Sequence, residues 1–157
     1  MSSISPSITD VPPSVAALLP VLRHHLAALQ GSNPLGWRLA FGLAEQRWGE
    51  GKGLALAHRS QVFLSALLAA RPVPLDCVDP LHIDDRDTLT EDEGNLMIAL
   101  SAMSSDDAPR ARLTIMALTG GRVPASAVST GLSLVHLLGS SPTTIRRSGA
   151  PALRAVS

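Results

Sequence analysis

Apolar residues recur every three or four positions through six successive runs of this chain, most of them stopped by glycine or proline. That spacing follows the α-helical turn and puts the apolar side chains on one face, and no segment shows the strict alternation of a half-buried strand. The pattern predicts an all-α bundle of five or six short helices. A single domain, residues 14–139, is expected between an N-terminal tail (1–13) and a C-terminal tail (140–157) whose Ser, Pro and Thr content reads as disordered and flexible. At 157 residues the chain is long enough for one core, since a domain of this size buries about two thirds of its unfolded surface.

The first run carries Val15, Leu18, Leu22, Leu26 and Leu29, with Ser14 as its expected N-cap. Pro20 removes a backbone donor inside this pattern, so the helix either kinks there or begins near Leu19. After the break at Gly31, Ser32, Asn33 and Pro34, a second run covers residues 35–48 and ends in GEGKG (49–53), read as a helix-to-helix turn. The third run, residues 54–70, is apolar over most of its circumference apart from a stripe of His58, Gln61 and Ser65, the pattern of a central or interface helix.

The sharpest local signal is TEDE, in which Thr90 can cap a helix and Glu93 can reach back to the cap; it opens a fourth run with Leu96, Met97, Leu100 and Met103. A fifth run aligns Ala111, Ile115 and Leu118 behind Asp106, Asp107 and Pro109, and stops at Gly120 and Gly121. Pro124 opens a sixth, with Val128, Leu132 and Val135 on one face.

A formal net charge of zero hides strong segregation. Eight of the thirteen acids lie in residues 76–93 with only Arg86 among them, and six arginines but no acid follow Asp107. Glu91, Asp92, Glu93, Asp106 and Asp107 sit where carboxylates favour the positive end of a helix. Asp76, Asp79, Asp84, Asp85 and Asp87 do not, and they make an acidic connector (75–89) between an N-terminal and a C-terminal three-helix half. A solvated loop of turn-forming aspartates is the plain account. The sharper one is a divalent-metal site for magnesium, manganese or zinc, with Asp79, His82, Asp84, Asp85 and Asp87 as ligands. Their spacing matches neither an EF-hand nor HExxH.

Other chemistry finds little footing. His24, His25, His58, His82 and His136 are dispersed, and His25, at the edge of the first apolar face, reads as a hydrogen-bonded core residue. Cys77 is the only cysteine, which gives no support for a disulfide framework, and its acidic neighbours oppose thiolate formation. No serine stands in a GxSxG elbow, and GEGKG lacks both the upstream glycine and the Ser or Thr of a phosphate loop. The basic half invites a nucleic-acid reading, yet its last helix carries no Arg, Lys, Asn or Gln to read base edges, so specific binding is not expected. No run reaches the ~18 apolar residues of a membrane span, and the chain reads as cytoplasmic.

The first expectation for function is therefore a non-enzymatic protein-interaction or regulatory protein. With 45% apolar and 17% charged residues, the chain has more apolar surface to cover than a well-solvated monomer. It would bind a protein partner or a second copy, as a two-fold homodimer does, with the opposite charges setting orientation. Phe63 and Leu67 on the third helix and Met97 and Met103 on the fourth are the candidate contact residues, although core burial accounts for them as well. The alternatives are a divalent-metal-binding protein or metal-dependent enzyme using residues 76–87, and a weak nucleic-acid-binding regulator using the basic half. No organic cofactor is expected.

Overall fold

The computed structural model describes residues 11–140. The expected tails fall almost wholly outside the described residues; where they overlap, Val11 is already in the core and Pro13 opens a helix. The elements are α1 (Pro13–Ala16), α2 (Leu19–Leu29), α3 (Gly36–Trp48), α4 (Glu50–Ala69), a 3-10 turn (Ile83–Asp85), α5 (Glu91–Ser104), α6 (Ala108–Thr119) and α7 (Ala125–Leu138). The fold is an all-α bundle of short helices.

Local chemistry explains most boundaries. Pro20 lies in the first turn of α2, where its missing N–H leaves no bond unmade. The preceding residues form the separate single turn α1, capped from Pro12, so Ser14 lies inside a helix and does not cap one. At the other expected break, α4 starts directly at Glu50; only Gly49, at φ 87°, makes the turn, and the rest of GEGKG is helical. The capping box forms as read, with the Glu93 amide donating to Thr90 Oγ1 at 3.0 Å and the Thr90 amide donating to Glu93 Oε1 at 3.0 Å. The two aspartates that follow α5 divide their work. Asp106, at φ 58°, takes the left-handed position that closes α5, with the Asp107 amide donating to the Ala102 carbonyl, while the Asp107 side chain caps α6.

α4 is the central helix. It packs on α2 and α3 along one side and on α7 along the other, and α5 pairs with α6 and touches α7. Leu22 and Leu26 of α2, Phe63, Leu64 and Leu67 of α4, Leu96, Met97 and Leu100 of α5, Ile115 of α6 and Leu134 of α7 belong to one buried cluster. The acidic connector thus separates two halves in sequence that share one core in space.

α3 is held differently. It buries only Gly36, Ala40 and Ala44, and it lies so near its neighbours that a Cβ on Gly53 would sit 2.7 Å from the Ala44 carbonyl carbon and 2.8 Å from Glu45 Cα. Among the described residues, no helix is long and apolar enough to cross a membrane.

Candidate functional site

Polar side chains from the first half tie the connector down. Arg23 of α2 is buried and donates from Nε to Glu93 Oε2 at 2.6 Å and from Nη2 to Glu93 Oε1 at 3.2 Å. Its guanidinium also donates to the Arg86 carbonyl at 2.8 Å and to the Thr88 carbonyl. Glu93 therefore serves the capping box and a buried ion pair together. Gln30 exchanges two hydrogen bonds with the backbone of Leu75, at 2.9 and 2.6 Å. Arg71 bonds the Leu118 carbonyl at the end of α6 and pairs with Asp92 at 3.1 Å, and Asp92 accepts the Asp76 amide at 2.7 Å. The sequence did hold a signal for Arg23, since it interrupts the apolar stripe three residues before Leu26; a charge there requires a buried partner.

The remaining acids of the connector stay outside this seam. Asp79 accepts the Leu81 amide at 3.0 Å, and His82 Nδ1 lies 3.7 Å from Asp85 Oδ2 with both side chains exposed. Asp84 and Asp87 are exposed. Among the described residues, no group of three or more His, Cys, Asp or Glu side chains comes together as a metal site, so the five candidate ligands share a loop and not a coordination centre. Beside them a cavity of about 360 Å³ opens between α2, α3 and the connector, lined in part by Leu19, Pro20, His24, Leu43, Pro80 and Asp87.

The candidate contact residues are placed in the core. Phe63, Leu67 and Met97 are fully enclosed and offer no surface to a partner, because the apolar circumference of α4 is covered on one side by α2 and on the other by α7. Met103 is also buried, but it forms part of the floor of a second cavity.

That cavity, about 280 Å³, lies between α6 and α7. Both helices pack on α5, yet they barely meet each other. Ala102, Met103, Ala111, Ile115, Val128 and Leu132 supply apolar walls, with Asp106 and Arg112 at the rim. The groove continues past Leu132 into a wider, more polar basin with Arg59, Ser133, His136 and Ser140 along its edge. α7 makes this possible by carrying two apolar faces. Ala127, Gly131, Leu134 and Leu138 are buried against the core, and Gly131 has Met103 and Phe63 directly over it. Of the face that the spacing gave to Val128, Leu132 and Val135, the first two line the groove, Val135 joins the buried cluster, and Leu132 remains 44% exposed. On α6, Leu113 and Met116 add exposed apolar surface, Leu113 at 67%.

The histidines do not converge. His25 is 1% exposed, with Nε2 at 2.8 Å from the Ala57 carbonyl, and its ring meets Phe41 edge-on, whereas His58 and His136 are exposed. Burial pushes the His25 pKa down to about 4. Burial also lowers His24, against an opposing pull from Asp79. The Cys77 thiol is pushed up to about 11, first by burial and then by Glu93 and Asp76, so it is held as an unreactive thiol. Comparison with protein-family models, curated proteins and solved structures returns no match.

Proposed function

We propose that this is a non-enzymatic interaction protein, whose α6–α7 groove and the apolar surface beside it are covered by protein: a second copy or a partner helix. The observation that supports this is the apolar groove between α6 and α7, where Val128 and Leu132 line the α7 side and Leu132 remains 44% exposed. An exposed leucine at the edge of an apolar groove costs solubility, whereas an apolar groove with a polar rim is the form in which helical segments are bound. Val128 and Leu132 line it, Met103 and Ile115 form its depth, and Asp106 and Arg112 give it polar edges that set orientation.

Analytical ultracentrifugation of the chain, together with photo-cross-linking from position 132 in host cells, tests the reading. A specific homodimer or one defined cross-linked protein is expected, and Leu132→Glu abolishes it without unfolding the chain, because Leu132 is already partly in water. A monomer at high micromolar concentration that also yields no cross-linked species refutes the assignment.

A further inference from the structure

We propose that the α6–α7 groove of one copy receives the connector turn, residues 79–87, of a second copy. The inference rests on the reading that protein covers this groove, and it names the protein and the segment. Two surfaces that the core leaves unused match each other. On the connector, Leu81 and Ile83 are 60% and 72% exposed, so the loop carries two apolar side chains into water. The turn is already ordered. The Leu81 and His82 amides both donate to Asp79, Thr88 donates to the Asp85 carbonyl from its amide and its hydroxyl, and Arg23 donates to the carbonyls of Arg86 and Thr88. A loop held in this way loses little freedom when it seats. The groove offers Met103, Ile115, Val128 and Leu132 as apolar walls around about 280 Å³.

Charge selects the occupant. Arg112 at the groove and Arg59 in the basin beside it face one acid, Asp106, and among the described residues neither arginine is in an ion pair. Arg59 is fixed in place, donating from Nη1 to the Ser133 carbonyl at 2.9 Å. The connector turn brings the opposite sign, with Asp79, Asp84, Asp85 and Asp87 against Arg86, and all four aspartates are exposed. Residues 141–157 carry Arg146, Arg147 and Arg154 and no acid, so like charge disfavours that segment as the occupant. The contact must lie between copies. The connector leads into the first turn of α5, whereas Ala102 and Met103 in its last turn border the groove. Fourteen residues at ~1.5 Å each separate the two ends by about 20 Å, and the bonds from Arg23 hold the turn at its own end. An insert at one end and a groove at the other make a heterologous contact, which adds copies in series or closes a ring.

Sedimentation equilibrium of the full chain, with one variant at each end, tests the proposal. The wild type is expected to self-associate as its concentration rises, and about 1 M salt to weaken the association, since it shortens the screening length to about 3 Å. Ile83→Lys keeps the groove and Leu132→Glu keeps the connector, and each alone is expected to be monomeric. Both side chains are exposed, so the helical circular dichroism of each variant should match the wild type. Mixed in equal amounts, the two should form a 1:1 dimer that grows no further, because the Ile83→Lys groove takes the Leu132→Glu connector and the remaining ends are disabled. An Ile83→Lys chain that self-associates like the wild type overturns the proposal, as does a mixture that stays monomeric. A monomeric wild type that cross-links from position 132 to a different protein also overturns it, and leaves the coverage of the groove by protein standing.

Discussion

Acidification acts on this fold through His25. The ring is enclosed between α2, α3 and α4, and Nε2 faces a carbonyl at 2.8 Å, which requires the proton on Nε2 and leaves Nδ1 a bare acceptor with no partner. Protonating Nδ1 would place a cation in a site with no acceptor for it, and burial accordingly takes the pKa to about 4 from its ordinary 6.5. The unfolded chain binds that proton near pH 6.5 and the native chain only near pH 4. The stabilisation from a neutral His25 is therefore present above about pH 6.5 and is lost as pH falls through the window between the two values.

At about 1.4 kcal/mol per pKa unit the full effect is about 3 kcal/mol, and about 2 kcal/mol of it is spent between pH 7 and pH 5. Urea unfolding of the wild type and of His25→Gln at several pH values in that window isolates the contribution, because glutamine keeps a donor for the Ala57 carbonyl and cannot titrate. His24 and the carboxylates are common to both chains and cancel in the difference. The wild type should lose about 2 kcal/mol more than the variant on going from about pH 7 to pH 5. Parallel pH profiles for the two chains would refute the reasoning.

Glycines on neighbouring helices should respond in opposite ways. Gly53→Ala drives a Cβ into the backbone of Ala44 and Glu45 and is expected to cost more than about 2 kcal/mol by chemical denaturation. Gly42→Ala meets nothing within 4 Å and should stabilise by about 0.5–1 kcal/mol through the helix propensity of alanine; equal effects at the two sites would contradict the close packing of α3. Glu93→Gln leaves the buried Arg23 charge without its carboxylate, and a loss of about 3–5 kcal/mol is expected in the same assay; a loss below about 1 kcal/mol would mean the pair is not needed. Thr90→Ala removes both the α5 cap and the hydroxyl's bond to the Asp76 carbonyl, and should cost about 1 kcal/mol while raising amide exchange in the first turn of α5.

Periodicity and capping chemistry settled much of this protein before any tertiary contact is considered. Apolar spacing determined an all-α bundle, TEDE determined the start of α5, and the place of His25 at the edge of an apolar face determined a buried, hydrogen-bonded ring. These are legible because each depends on residues within a turn or two of one another. The candidate sites were not. Arg23 and Glu93 meet across seventy positions, which converts a plain helix cap into part of a buried ion pair. Phe63 and Leu67 proved to be core because α2 and α7 flank α4 from two sides, a fact that no local pattern encodes. The apolar stripe of α7 was visible, but a helix with two apolar faces does not say which one the core will take. That depended on Gly131, whose missing side chain lets Met103 and Phe63 come close and leaves Val128 and Leu132 toward the groove. A periodic pattern gives a helix its faces; only the shape of distant neighbours decides which face is covered.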